Sequence, residues 1–195
     1  MLNLKLKDKK IGFILTGSFC TFNKTIEQME NIKKQEADIV PIMSYNSYEL
    51  DTKFGKAKEF IDKIKDITGK NIIHTIQDAE PIGPKHLTDI MIIAPCSGNT
   101  IAKLANGITD SPALMAAKSH LRNNNPLVIA ISTNDGLSGS AENIGKILNR
   151  NNYYFVPFRQ DNPITKPRSL VFNPNLIVKT LELALDGEQI QPIIF

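Results

Sequence analysis

The segment best suited to bind a ligand is Pro95–Thr100, PCSGNT. It directly follows a short apolar run, Ile90–Ala94, and a helical pattern follows it, with apolar positions at Ile101, Leu104 and Ala105. Small hydroxyl, amide and backbone N–H groups at a helix N-terminus favour anions and polar ligands. The segment has no strong acid, no base and no metal-ligand spacing. It therefore predicts a binding site for a ligand that supplies its own chemistry.

Three other polar loops follow apolar runs of the strand type. They are Thr16-Gly17-Ser18, Ser44, and the loop Ser132-Thr133-Asn134-Asp135-Gly136. Each of them alone fits a turn equally well, and Ser44 also fits an N-cap. The first loop lacks both the later glycines of a dinucleotide fingerprint and a Walker lysine, although Gly17 and Ser18 can still hold one phosphate.

The elements that would position these loops alternate between strand and helix patterns. Strands are predicted at Ile11–Leu15, Ile39–Met43, Ile72–Thr75, Ile90–Ala94, Leu127–Ile131 and Tyr153–Val156. Helices are predicted at Asn23–Gln35, Phe54–Ile67, Asn99–Asn106, Ser111–Leu121, Ala141–Asn149 and Asn175–Leu185. This alternation predicts an α/β fold: a doubly wound, Rossmann-like three-layer sandwich with a mostly parallel six-stranded sheet, formed by residues 1–195 as one domain.

The predicted topology brings two of the polar loops together. The usual doubly wound strand order, 3-2-1-4-5-6, places the first and fourth strands side by side. The loops that leave them, Thr16–Ser18 and Pro95–Thr100, then face each other at the topological switch point, where such sheets bind ligands.

Composition and charge narrow the class of protein. The chain has 195 residues and a net charge of +3, and Lys5–Lys10 is its only dense basic run, expected to be a solvated lead-in. No basic stripe with interleaved aromatic residues indicates nucleic-acid binding. Two cysteines do not make a disulfide framework. Without a signal-peptide pattern or an apolar run of membrane-spanning length, the chain is expected to be soluble and cytoplasmic.

Several reactive residue types lack the neighbours that catalysis requires. The three histidines, His74, His86 and His120, have no metal-ligand spacing, so structural or surface roles are expected and no metal site is predicted. Cys96 has no base nearby in sequence, which favours packing or ligand contact over nucleophilic catalysis. Arg159, Lys166 and Arg168 lie in a proline-rich segment and fit either a solvated extended loop or the capture of a dicarboxylate or an acidic partner.

Taken together, these motifs resemble a flavoprotein family that includes flavin prenyltransferase, phosphopantothenoylcysteine decarboxylase and the peptidyl-cysteine decarboxylases. The shared pattern is the loop Thr16–Ser18, the turn Pro95–Thr100, and the continuation Ala105-Asn106-Gly107-Ile108-Thr109-Asp110. The resemblance covers about Lys10 to Asn149 and implies FMN as the cofactor. It implies that Gly17, Ser18 and Ser44 serve the phosphate end of FMN. It also implies that Ser97, Gly98, Asn99 and Thr100 line the ribityl chain and ring. Cys96 and, from the loop after the fifth strand, Ser132 and Thr133 complete the predicted cofactor-binding set.

One branch of this family, formed by the B subunits of dipicolinate synthases, resembles the chain over nearly its whole length. The matching segments are Glu80–Lys85, Ile131–Asp135, Tyr154–Phe158 and Gln160–Pro163. The resemblance implies oxidation of a dihydrodipicolinate-level heterocycle to dipicolinate, the pyridine-2,6-dicarboxylate made during sporulation, in the mother-cell cytoplasm. It also implies an A-type subunit as partner, which resembles an NAD(P)-dependent dehydrogenase, and homo-oligomers built from trimers.

Two alternatives stay open at this point. One is an FMN-dependent decarboxylase or transferase. Against it, the histidine that the decarboxylases carry before the fourth strand would fall near Pro81, and the arginine of the prenyltransferases is absent near Ser132. The other is a non-catalytic scaffold that keeps the fold and binds the A-type subunit. No catalytic residue is predicted.

Overall fold

A seven-stranded sheet organises residues 4–195, the part of the chain that the computed structural model describes. Residues 1–3 lie outside this range. The strands are β1 Lys10–Leu15, β2 Asp38–Met43, β3 Ile90–Cys96, β4 Leu127–Thr133, β5 Tyr153–Phe155, β6 Phe158–Asn162 and β7 Lys166–Phe172. The α-helices are α1 Phe22–Lys33, α2 Tyr45–Glu49, α3 Ala57–Thr68, α4 Ile76–Ala79, α5 Gly98–Ala105, α6 Pro112–Leu121, α7 Ala141–Leu148 and α8 Ile177–Leu185.

The strand order is β2-β1-β3-β4-β7-β6, and β5 also pairs with β4. The pairs β1–β2, β1–β3, β3–β4 and β4–β5 are parallel, whereas β4–β7 and β6–β7 are antiparallel. The predicted mostly parallel Rossmann-like fold is therefore confirmed, including the adjacency of the two strands that lead into Thr16–Ser18 and Pro95–Thr100. The predicted number of strands was one too low.

The central strands have the all-apolar composition that burial on both faces requires. Every residue of β3 is buried, as are the residues of β1 after Lys10. Helices pack their apolar sides against both faces of the sheet, and this packing completes the hydrophobic core. Since β1 and β3 are held by neighbouring strands on both sides, the loops at their carboxyl ends have fixed positions.

The predicted strand Ile72–Thr75 is wrong. Only one residue of this segment joins the sheet, through a bridge between Ile42 and Ile73. The chain then leaves the sheet: the ring of His74 stacks on Tyr48 with 4.0 Å between ring centroids. Thr75 caps the short helix α4 by accepting a hydrogen bond from the Asp78 amide.

The proline-rich segment after β5 is an antiparallel hairpin, β6–β7, rather than the extended loop expected as one possibility. The sequence pattern does not indicate this hairpin because most of residues 159–168 are exposed and polar. The hairpin joins the sheet where Ser132 and Thr133 of β4 pair with Val171 and Leu170. β4 thus pairs with β5 along its first half and with β7 along its second half.

No α-helix within residues 4–195 has both the length and the apolar character needed to cross a membrane.

Candidate functional site

Thr16 joins the two loops at the switch point. Its hydroxyl donates to the carbonyl of Pro95 at 2.7 Å and accepts from the amide of Ser97 at 3.1 Å. Thr16 is almost completely buried, so these bonds are shielded from water. The end of β1 is thereby fixed against the end of β3, and the loops meet as the predicted topology required.

Ser18 extends this connection to β4. Its hydroxyl donates to the carbonyl of Ser132 at 2.6 Å, and its amide donates to the carbonyl of Thr16 at 2.7 Å in a tight turn. The Thr21 hydroxyl in turn donates to the Ser18 carbonyl at 2.9 Å. Three neighbouring strand ends are therefore tied together by short polar contacts, which gives the site a rigid floor.

A cavity of about 1130 Å³ opens above this floor. Seven of the ten predicted cofactor-binding residues line it: Gly17, Ser18, Ser97, Gly98, Asn99, Ser132 and Thr133. They come from three loops that are far apart in sequence, so the fold brings together most of the predicted set.

Three predicted site residues do not line the cavity. Cys96 is fully buried below it, and burial raises the pKa of its thiol, so it is a packing residue rather than a reactive thiolate. Thr100 is buried and its hydroxyl lies 2.9 Å from that of Ser97. Ser44 caps α2, accepting a hydrogen bond from the amide of Ser47 at 3.4 Å. For Ser44 and Thr100, the structure shows capping contacts in place of contacts with the cavity.

The N-terminus of α5 forms one wall of the cavity. Ser97 caps the helix by accepting from the Thr100 amide at 3.3 Å. The amides of Gly98 and Asn99, in the first turn, have no intrahelical acceptor. Gly98 is required there because a Cβ at this position would lie 2.6 Å from Thr133 Oγ1 and 2.9 Å from Asp135 Oδ1. The helix start therefore packs directly against the loop that follows β4.

That loop contains a polar network that the sequence analysis missed. Asp135 Oδ1 accepts hydrogen bonds from the hydroxyls of Thr133 and Ser140, the latter at 2.8 Å. The Asp135 carbonyl also accepts from the amides of Ser138 and Ser140, at 2.9 and 3.1 Å. The composition of Ser132–Gly136 indicates only a turn-like loop. No local sequence pattern indicates that Asp135 accepts a hydrogen bond from the hydroxyl of Ser140, just before α7.

Cationic side chains surround the rest of the cavity. Lys24, Lys53, Arg159 and Lys166 line it, together with the carboxylates of Asp135 and Asp161. Lys166 pairs with Asp161 at 2.5 Å, and this hydrogen bond raises the pKa of Lys166. The Arg159 guanidinium lies 5.5 Å from the centre of the Phe195 ring. The cavity therefore combines a net positive rim with small polar groups on its floor.

The histidines stay outside this cavity. His74 stacks on Tyr48, His86 lies 3.4 Å from Asn123, and His120 is buried in α6. Among residues 4–195, no three His, Cys, Asp or Glu side chains are grouped so that they could hold a metal ion.

A family model described as "Flavoprotein" matches residues 2–166. The chain belongs to the flavoprotein family. This family membership agrees with a cavity that offers small polar and cationic binding groups. The flavoprotein matches a curated relative, the B subunit of dipicolinate synthase of Bacillus subtilis (strain 168), with 46% identity over 97% of this chain and 94% of the relative.

Solved structures support the assignment of this chain to the flavoprotein family. The crystal structure of the dipicolinate synthase B subunit from Bacillus halodurans C has 45% identity and a TM-score of 0.90, and the match covers 97% of each chain. The FMN-dependent cysteine decarboxylase SpaF has a TM-score of 0.69 at 14% identity, covering 93% of this chain and 99% of its own. The second likeness shows the shared fold alone.

Proposed function

We propose that this flavoprotein is the B subunit of a dipicolinate synthase and that it holds FMN in the cavity at the switch point. Residues 1–195 would act as one functional domain. The observation that carries the proposal is the set of seven predicted cofactor contacts around one cavity, in a chain 46% identical to a B subunit of that enzyme.

The cavity has the groups that an FMN molecule requires. FMN combines an anionic phosphate, a chain of hydroxyls and a planar ring. The cavity provides cationic side chains, small hydroxyls and first-turn amides of α5. Its volume, about 1130 Å³, is at the upper end of the range for small-molecule pockets and is sufficient for FMN. Gly17, Ser18 and Lys24 would hold the phosphate end, and Ser97, Gly98 and Asn99 the rest.

The bound flavin would supply the capacity to accept a hydride, which no protein side chain has. The chain itself would bind and orient the substrate. A dihydrodipicolinate-level ring would give up one hydride to the flavin and one proton to water or a weak base. Because the ring becomes aromatic, this loss is strongly favourable, so a strong protein base is not required. Arg159 and Lys166 of the hairpin line the cavity and are suited to bind the two carboxylates of such a substrate.

The proposal extends to partners and location. The Bacillus subtilis relative is named as the B subunit of its enzyme, which supports a second, A-type subunit as partner. A homo-oligomer built from trimers and a place in the mother-cell cytoplasm of a spore-forming bacterium complete the proposal. Apolar residues on the exposed surface, including Ile164 at 90% exposure and Ile194 at 66%, are available for such contacts.

An absorption spectrum tests the cofactor. The purified protein is mixed with FMN, passed through a gel-filtration column and scanned for visible flavin bands. Retained flavin is expected for the wild-type protein and for Asn151→Ala, a control outside the cavity. Asn99→Ala should lose most of the bound flavin. A wild-type protein that emerges colourless contradicts the proposed site.

Reduction by the substrate tests the reaction. The flavin-loaded protein is combined anaerobically with an A-type subunit and a dihydrodipicolinate-level substrate. Bleaching of the flavin bands with formation of dipicolinate is expected. Dipicolinate formed at the same rate with the flavin-free protein would overturn the oxidative role of this chain and leave only a scaffold.

A further inference from the structure

The cavity wall between α5 and α7 has an unusual hydrogen-bonding polarity. The hydroxyls of Thr133 and Ser140 both donate to one carboxylate oxygen, Asp135 Oδ1. A hydroxyl can donate only one hydrogen bond, and once that proton is used its oxygen can only accept further hydrogen bonds. Both hydroxyl oxygens can therefore offer only lone pairs to a ligand.

We propose that Asp135 is a positioning residue that turns the Thr133 and Ser140 hydroxyls into acceptors for the uncharged hydrogen-bond donors of the flavin. This role rests on the proposed flavin site. The donors concerned are the ribityl hydroxyls or the imide N–H of the ring, since the phosphate of FMN brings only acceptors and negative charge.

The surroundings of Asp135 hold it in this arrangement. Its carbonyl accepts from the Ser138 and Ser140 amides, so the backbone of the loop is closed on itself. Gly98 allows the start of α5 to approach, and a helix N-terminus favours a nearby carboxylate. Gly139 of the same loop is also close, since a Cβ there would be 3.2 Å from Asp135 Oδ2. The side chain is thus positioned by its own loop and by the start of α5.

The position of the network makes it a feature of the cavity. Thr133, Asp135 and Ser140 all line the cavity, together with Gly98. A purely structural network of this kind would satisfy its polar groups away from any opening. Here Thr133 and Asp135 are partly exposed in the cavity wall, and Ser140 is buried beside them.

Two substitutions at Asp135 separate orientation from charge. Asp135→Ala removes the acceptor, so both hydroxyl protons become free to turn into the cavity. Asp135→Asn keeps an acceptor oxygen at nearly the same place. Dissociation constants are measured for FMN and for riboflavin, which lacks the phosphate, by quenching of flavin fluorescence. Asp66→Ala removes an exposed carboxylate of α3 outside the cavity and is the matched control.

The expected result is a loss of about tenfold in affinity for Asp135→Ala, equal for FMN and riboflavin. Asp135→Asn should restore binding of both flavins to within about threefold of wild type, because it still orients the hydroxyls. The control should change riboflavin binding by less than about twofold. Unchanged riboflavin binding in Asp135→Ala would overturn the proposal, as would a loss confined to FMN or a failure of Asp135→Asn to restore binding.

A double-mutant cycle gives a second test that does not need Asp135→Ala to fold. Thr133→Val removes one hydroxyl and should weaken riboflavin binding several-fold. Added to Ser140→Ala, the same change should cost less than it does in wild type, since the groups act as a unit. Strict additivity would overturn the proposal. Wild-type protein that binds neither flavin would instead refute the proposed function.

Discussion

The two ends of the central strands carry polar networks of opposite character. At the amino ends of β3 and β4, buried polar groups are paired with one another within the protein. At the carboxyl ends, the hydroxyls of Thr133 and Ser140 donate to Asp135, and all three residues line a large cavity. The polar groups at the amino ends stabilise the fold, whereas those at the carboxyl ends line the site proposed for a ligand.

The closed network is built around Gly83 and His120. Ser119 accepts from the Gly83 amide at 2.8 Å and donates to the Glu80 carbonyl at 2.6 Å. His120 Nε2 donates to the Pro126 carbonyl at 2.9 Å, and its Nδ1 accepts from the Thr88 hydroxyl at 2.8 Å. Each of these groups has a partner within the protein, so substitutions there should change stability and leave flavin binding intact.

The largest expected effect is the loss of stability in Gly83→Ala. A Cβ at Gly83 would lie 2.0 Å from the backbone carbonyl oxygen of Ser119, so α6 would have to move. The free energy of unfolding should fall by about 3 kcal/mol, measured by urea denaturation. Gly145→Ala is the control because its Cβ meets nothing within 4 Å. A Gly83→Ala protein of wild-type stability would break the comparison.

The second largest effect is expected for Gly98→Ala, at the carboxyl ends of the strands. The added methyl group would displace Thr133 Oγ1, which is held by Asp135, and so distort the cavity wall. FMN affinity should fall about tenfold or more, with a stability loss of about 1 kcal/mol. Equilibrium dialysis and thermal melting measure the two quantities. A large stability loss with unchanged FMN affinity would mean that Gly98 stabilises the fold and does not shape the ligand site.

An intermediate effect is expected from pH acting on His120. Burial lowers the pKa of His120 below 6.5, against smaller opposing effects of Pro126 and Asp89. The unfolded chain therefore binds a proton that the folded chain does not, and stability is lost as the pH falls from about 6.5 towards the folded-state pKa. The slope should be at most about 1.4 kcal/mol per pH unit. His120→Gln should remove this slope in urea titrations, while a slope that persists would contradict it.

The smallest effect is expected for Lys24→Gln at the rim of the cavity. Lys24 lines the cavity and is exposed, so its attraction for a phosphate is screened by salt. FMN affinity should fall about threefold at low ionic strength, and the difference should vanish near 1 M salt. Riboflavin affinity should not change. An equal loss for riboflavin would mean that Lys24 contacts another part of the ligand.

Much of the fold could be predicted because burial leaves a strong pattern. The strands β1, β3 and β4 are continuous apolar runs, and parallel order then places Thr16 opposite Pro95. The hairpin β6–β7 could not be predicted because its residues are largely exposed and its pairing partner is the end of β4. Ile72–Thr75 has strand composition, yet His74 and Thr75 make contacts outside the sheet.

The site was predictable where a loop follows a buried strand directly. Ser97, Gly98 and Asn99 occupy such positions and line the cavity. Asp135 was not predictable because its role depends on Ser140, five residues later, and on the approach of Gly98 from another loop. Cys96 precedes a site residue, but it is the last residue of β3, which is buried along its whole length, and its side chain belongs to the core.

The division of β4 between two partners has a consequence for how the protein can change. Leu127, Val128 and Ile129 pair with β5 in the core, whereas only Ser132 and Thr133 pair with β7. Within the hairpin, the exposed tip at residues 161–168 can be lengthened or shortened without altering the core, whereas Phe158, Leu170 and Phe172 at its base are buried in that core. The tip carries Lys166 of the cavity wall, so a change in its length can alter what enters the cavity while the core is kept. Hydrogen exchange should show the amides of the tip opening before those of the central strands.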